Sequence, residues 1–492
     1  MKKIYIAALA MLISSVLVSC DDFLDMQPTQ SGAADGAVAT VADAEVAMNG
    51  IMRAMTSSSY YGRNFLLYAD AKGGDLTIYS AGRGNDALYS FNHTANSGSY
   101  SAFWRQGYYC VLQVNTLLNN IALVEDADSN EDFSYVKGQA YALRALFYFD
   151  LVRLYGLPYN YNKDSYGVPV VTEPIEATAQ PTRASVKDTY AQILSDLGTA
   201  VSLMADDKST RDGFMSYYAA VALTAKVKLY MEDYEGALKA ADEVISSGKY
   251  SLYKPEDWAD SWSKQFGSES LLELAITPEE ADLGSASLGY YYMRYGHKSG
   301  AQGWFLASEY FLDRLGEDPD DVRWAVMDND EYWYDTDIPR SGACYKYIGG
   351  TSLSGDGKAT ASAVNIKILR LSEVYLIAAE AALHSSAGAD KAAEYLNAVR
   401  CRAPHLAPAD ASTISDDMIL DERSKELFGE GNRFFDMIRL NRTIEFNDDF
   451  MSVPVSTREK SIDRTFYKIV LPISQDEINA NPAIASQQNP GY

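Results

Sequence analysis

Cysteine, histidine and basic residues are all scarce in this chain of 492 residues. Four Cys exclude a disulfide-stapled scaffold, which needs far denser cysteine. Four His leave little room for a histidine-rich metal site. Forty-two Lys and Arg face 67 Asp and Glu, a net charge of −25. That balance argues against nucleic-acid binding, where affinity comes from cations set on phosphates. The usual catalytic motifs are also missing: there is no H-E-x-x-H, C-x-x-C, P-loop or G-x-S-x-G. Gly82 to Ala87 fits G-x-G-x-x-A, but no apolar helix pattern follows it, as a dinucleotide site requires. Asp328-Asn329-Asp330 begins like a calcium loop, yet its sixth position is Trp333 and its twelfth Pro339, so the pattern fails. The sequence therefore gives no reason to expect a cofactor, a metal or a catalytic residue.

What is present is a large core and an excess of tyrosine. The chain is 47% hydrophobic and 22% charged, far from the composition of a disordered chain. Of its aromatic residues, 36 are Tyr, 17 Phe and 6 Trp. After the N-terminus, no apolar run reaches the ~18 residues that a membrane-spanning helix needs.

The N-terminus reads as a leader. Lys2 and Lys3 precede an apolar run from Ile4 to Val18, too short for a comfortable span, that ends at Ser19. Cys20 follows in the context Leu17-Val18-Ser19-Cys20, which resembles the bacterial lipoprotein processing box. That resemblance implies removal of residues 1–19 and acylation of Cys20, with several acyl chains holding the protein to outer-membrane lipid. Residues 20–36 then read as a tether. Its first residues, Asp21-Asp22-Phe23-Leu24-Asp25, resemble a surface-export signal. Residues 37–492 form the folded body.

Helical spacing dominates that body, so the expected fold is all-α with helical hairpins. Thr40 and Asp43 suit a capping box ahead of Ala44, Met48, Ile51, Met52 and Met55. A second helix carries Trp104, Tyr108, Val111, Leu112 and Leu118. A third, over 135–155, is apolar on nearly every side and belongs in the middle of a core, ending at Gly156 and Pro158. Ser185 and Asp188 open a fourth. Residues 216–247 and 366–402 read as two hairpins of roughly the ~34-residue tetratricopeptide size, with Ala at the positions where two helices approach. In the second, the first helix is expected from Ile366 to Leu383. Between the hairpins, residues 278–364 lose helical periodicity and read as a long, irregular, largely surface insertion, the kind of segment that usually carries function.

The aromatics are unevenly placed. Residues 60–109 and 290–347 each hold about twice the chain's average share of them. Rings set among Asn, Asp and Arg suit sugars: a pyranose stacks its C–H face on a ring, and its hydroxyls need polar partners. The candidate ligand-binding residues are Tyr79, Arg83, Asn85, Tyr89 and Asn92 from the first window. From the second come Tyr290, Tyr292, Trp304, Trp324 and Trp333. A hydrolase would instead need two carboxylates in a cleft, and Asp70, Asp75 and Asp86 are the acids near the first window.

The run from Asp421 to Arg439 holds many acids, each with a basic residue three or four positions away. Helical pairing predicts Glu422–Lys425, Glu430–Arg433 and Asp436–Arg439. Cys110, Cys344 and Cys401 are expected to be buried or unreactive thiols.

Six ordered stretches resemble the SusD/RagB-like family of nutrient-binding outer-membrane lipoproteins. They are Cys20 to Asp25; Gly138 to Pro158; Arg370 to Ala381; Leu396 to Ala403; the acidic–basic run at 421–439; and the end, from Leu471-Pro472-Ile473 to Asn489-Pro490-Gly491-Tyr492. The resemblance implies an α-helical fold with tetratricopeptide-like hairpins and a loop-rich ligand face. It implies a SusC-like TonB-dependent β-barrel transporter as partner, over which the protein acts as a lid. It also implies capture of oligosaccharides, or in some members peptides. The matching motifs lie on the scaffold and carry no ligand residues.

Overall fold

The computed structural model describes residues 37–79, 86–127, 130–294, 301, 303–330, 340–348, 362–450 and 455–492. The leader, Cys20 and the tether lie outside them, as do Arg83, Asn85 and Trp333. Helices dominate the described residues, and the strands form four two-stranded antiparallel sheets. No helix among the described residues is long and apolar enough to cross a membrane.

Helix Val41–Met55 starts with a reciprocal cap. Thr40 Oγ1 accepts from the Asp43 N–H, and the Asp43 carboxylate accepts from the Thr40 N–H. Helix Ser134–Tyr155 sits in the centre, between helices Gly98–Asp126 and Val186–Leu203. Glycine sets these distances: a Cβ on Gly107 would lie 2.8 Å from Leu151, so the long helix crosses its neighbour closely. Two buried ion pairs lie in this packing, Arg144–Asp196 and Arg153–Asp150. Arg144 forks onto Asp196 at 2.7 and 2.8 Å and also donates to Asn115 Oδ1. A paired guanidinium with its donors used is the form in which a buried cation is tolerated.

The hairpins form as expected and stack on each other. Helices Tyr217–Tyr230 and Tyr234–Ser246 make the first, and Leu371–Leu383 and Gly388–Arg400 the second, with Tyr234–Ser246 packed against Leu371–Leu383. One boundary differs. Ile366–Arg370 is a strand, paired antiparallel with Ser270–Leu274, and the helix begins only at Leu371. A five-residue run with two β-branched Ile satisfies either period, and the free edge of the Ser270–Leu274 strand decides it.

The insertion is not largely on the surface. Leu288, Tyr292, Phe305, Leu306, Phe311, Leu315, Val326, Tyr345 and Tyr347 are all buried. Ion pairs across the fold explain how an aperiodic segment reaches the interior. Arg323 of the insertion contacts Asp321 at 2.6 Å and Glu422 at 2.5 Å, and Lys346 contacts Glu430 at 2.8 Å. Arg370 reaches Glu269, Glu426 and Glu430, and Arg402 binds Glu269 and Glu426. Burial alone would raise the Glu426 carboxyl. Arg402, Arg370, Arg323 and Lys346 outweigh it and hold the group well below the usual range.

The 421–439 run is therefore an ion network, but mostly a long-range one. Asp436–Arg439 forms at 3.0 Å and Glu422–Lys425 only at 4.0 Å. Glu430–Arg433 does not form, because Gly431 at φ +76° breaks the helix between them. Arg433 turns to Asp75 at 3.3 Å instead. Among the cysteines, Cys110 and Cys344 are buried, while Cys401 is exposed, with its Sγ on Ala398 O and its thiol pushed up by partial burial.

Candidate functional site

The two aromatic windows meet at a pair of short strands. Leu76–Ile78 pairs antiparallel with Phe305–Ala307, placing Ile78 opposite Phe305. All six residues are buried, so both strands are fixed on both faces. One step further the chains emerge. The Tyr79 N–H donates to the Trp304 carbonyl at 2.9 Å, and both side chains are half-buried.

A one-turn helix, Leu288–Tyr292, supplies the next rings. Leu288 and Tyr292, four apart, face the core, which leaves Tyr290 and Tyr291 half-buried on the outer side. The backbone fastens this turn to the strand end: Gly303 N donates to Tyr290 O and Trp304 N to Tyr291 O at 3.0 Å. The Tyr291 and Trp304 rings are 5.6 Å apart and tilted by 48°. Two guanidiniums complete the group. Arg63 lies 4.4 Å over the Tyr291 ring and donates to Ala286 O, while Arg294 lies 3.9 Å over Tyr79 and donates to Gly303 O. Gly303 is required there: its φ is +52°, and a Cβ would stand 2.6 Å from Arg294 Cδ. The backbone thus links half-buried Tyr79, Tyr290, Tyr291 and Trp304 into one patch, in which Tyr291 and Trp304 are in ring contact, Tyr290 packs towards Met293 and Tyr345, and cations lie against Tyr291 and Tyr79.

The other candidates fall elsewhere. Tyr89 is fully buried, its ring edge-on to Phe446 at 5.6 Å and under Arg458, so it offers no face to a ligand. Tyr292 is also fully buried and donates to Asp70 at 3.0 Å. Trp324 is half-buried beside Gly316, and its Nε1 donates to Asp318 O. Asn92 is exposed in the turn after helix Asp86–Ser90. Neither Trp324 nor Asn92 contacts the patch among the described residues. Arg63, Tyr291 and Arg294 were not among the candidates. The signal for Tyr291 was in the sequence: Leu288 and Tyr292 at helical spacing mark which tyrosines point outward. Nothing local marks Arg63, which arrives from a distant turn.

Two of the three hydrolase candidates, Asp70 and Asp75, are structural, and half-buried Asp86 opens helix Asp86–Ser90. Asp75 is buried and held by Arg314 at 3.1 Å, Arg433 and the Ser424 hydroxyl. Asp70 is buried and accepts from Tyr292 and the Gly431 N–H, and burial pushes its carboxyl up to about 8.

Relatives share this whole architecture. A family model described as "SusD family" matches residues 323–492, and one described as "Starch-binding associating with outer membrane" matches residues 22–229. A SusD superfamily protein from Bacteroides thetaiotaomicron, known from its crystal structure, is 33% identical. It superposes with a TM-score of 0.82 over 92% of this chain and all of that one. The chain belongs to the SusD superfamily. SusD-like protein P2 of Formosa agariphila is 28% identical over 478 residues, 89% of this chain and 91% of that protein. A structure described as a laminarin-binding SusD-like protein shares the SusD fold at 24% identity and a TM-score of 0.69. The second family model's description also attaches an outer-membrane association to this SusD family member.

Proposed function

We propose that this SusD-family protein is a cell-surface binding lipoprotein that captures oligosaccharides on the Tyr79–Tyr290–Tyr291–Trp304 patch. The carrying observation is the strand pairing that joins Tyr79 to Trp304. It brings parts of two distant aromatic-rich segments to one partly exposed surface. The tilted Tyr291 and Trp304 rings offer a sugar a stacking face, and half-buried Arg63 and Tyr290 offer hydrogen-bond donors. Acylation of Cys20 would hold the protein to the outer membrane, and a SusC-like β-barrel would receive the captured glycan. Binding without turnover suits the patch, since Asp70 and Asp75 are committed to buried partners.

Isothermal titration against starch, laminarin and other soluble glycans tests this reading. At least one glycan should bind unchanged in length, and Tyr79→Ala with Trp304→Ala should abolish that binding. Glycan binding that survives the double substitution would move the site elsewhere, and turnover of the bound glycan would favour a hydrolase.

A further inference from the structure

A separate cleft of about 560 Å³ opens between helix Gly98–Asp126, loop 169–181 and the C-terminal helix Gln475–Ala480. That volume is in the range of pockets that enclose a ligand. Its floor holds Trp104 and Tyr108, and its mouth exposes Tyr109, Leu112 and Ile175, each more than 40% accessible. Large apolar side chains left in solvent around one concavity are the usual sign of an unfilled contact. The walls are fixed: Tyr108 Oη donates to Pro169 O, Asn115 Nδ2 to Val171 O, and Asn481 Nδ2 to Pro181 O.

The charge around it is one-sided. Glu173, Glu176, Asp476 and Glu477 line the cleft against a single base, Arg105. None of the four carboxylates has a cationic partner among the described residues, whereas the buried Glu422, Glu426, Glu430 and Asp436 are each ion-paired. Asn481, only 4% exposed, lines the same cleft, and its Oδ1 accepts no hydrogen bond among the described residues. The cleft therefore has an apolar floor and four carboxylates that outnumber its one cation, Arg105.

We propose that this cleft docks a basic polypeptide segment of a partner protein, with an apolar side chain between Leu112 and Ile175 and Lys or Arg side chains on Glu173, Glu176 and Asp476. The four carboxylates without cations favour a basic polypeptide over a neutral sugar, whose hydroxyls would also face Leu112, Ile175 and Pro181 at the mouth. The site is distinct from the Tyr79 patch and does not depend on the glycan reading.

The test uses the mature chain and the probe peptide acetyl-Lys-Leu-Lys-Phe-Leu-Lys-amide, titrated at low and high salt. Binding is expected at low salt and should weaken as salt screens the charges. Glu173→Gln with Glu176→Gln and Asp476→Asn should weaken it at least ~10-fold, and so should Leu112→Ser with Ile175→Ser. Glu256→Gln with Asp257→Asn and Glu279→Gln, which removes as much charge elsewhere, should leave it unchanged, as should Tyr79→Ala with Trp304→Ala. Absence of binding, or equal loss in the control triple variant, overturns the proposal. So does binding of a glucosamine tetramer in place of the peptide, which would make the occupant a cationic sugar.

Discussion

The Tyr79 N–H donates to the Trp304 carbonyl at 2.9 Å, and that bond is where the two aromatic-rich segments become one surface. Each segment alone offers scattered rings. The strand pair Leu76–Ile78 with Phe305–Ala307 converts them into a patch of fixed geometry. A ligand meeting this patch finds rings already oriented, which lowers the ordering cost of binding.

Trp304→Ala should weaken glycan binding by roughly thirtyfold, following the ~2 kcal/mol typical of a central aromatic contact. The side chain is half-buried, so the melting temperature should fall by only a few degrees. Titration calorimetry beside thermal melting separates the two effects.

Gly303→Ala should also impair binding, though the glycine itself has no side chain to contact a ligand. A left-handed alanine costs about 1–2 kcal/mol, and its Cβ would displace Arg294 from Tyr79. Reduced affinity in a variant that still melts cooperatively is the expected result.

Glu426→Ala should be among the most damaging single changes. It leaves Arg323, Arg370 and Arg402 short of a shared carboxylate in the interior, and breaking such a network costs about 3–5 kcal/mol. Arg323 belongs to the insertion and the other two to the helical body, so hydrogen exchange should rise in both. Urea denaturation gives the magnitude.

The same network should make the protein acid-sensitive. Burial would raise the Asp436 carboxyl, but Arg423 and Arg439 hold it near 2, and Glu430 is held down by Arg370 and Lys346 in the same way. A folded-state value below the unfolded one contributes stability above about pH 4, and that contribution is lost as pH falls towards 2. Asp436→Asn should therefore melt lower than the parent at pH 7, with the gap narrowing in acid.

Asp70 has the opposite sign. Burial raises its carboxyl to about 8, so the fold keeps a proton that the unfolded chain releases near pH 4. Its effect is to lower stability as pH rises from about 4 to 8. Asp70→Asn should gain stability relative to the parent across that window, because the amide cannot ionise and still accepts from Tyr292 and Gly431.

The helical body was largely legible because its signals are local. Thr40 and Asp43 cap a helix that runs as their spacing implies, and the all-round apolar helix at 134–155 lies buried in the middle. Where two local readings fit, a partner decided: Ile366–Arg370 became a strand because Ser270–Leu274 lies beside it. The 421–439 acids were correctly read as ion-paired, but i to i+4 spacing cannot reveal Arg323, Lys346, Arg370 or Arg402, which approach from other parts of the chain. Of the four rings in the patch proposed here, the aromatic windows supplied Tyr79, Tyr290 and Trp304 as candidates and left out Tyr291. Tyr89 and Tyr292 have the composition of a sugar-binding surface and the burial of a core, and only the fold separates those roles. Arg63 and Arg294 join the patch through tertiary contacts that leave no periodic trace.

A crystal structure with the tightest-binding oligosaccharide tests the central claim most directly. A sugar ring is expected in van der Waals contact with Trp304 or Tyr291, with hydroxyls within hydrogen-bond reach of Arg63 or Tyr290. A sugar seated in the cleft between Tyr109 and Ile175, or anywhere that leaves the Tyr79–Trp304 patch bare, would contradict it.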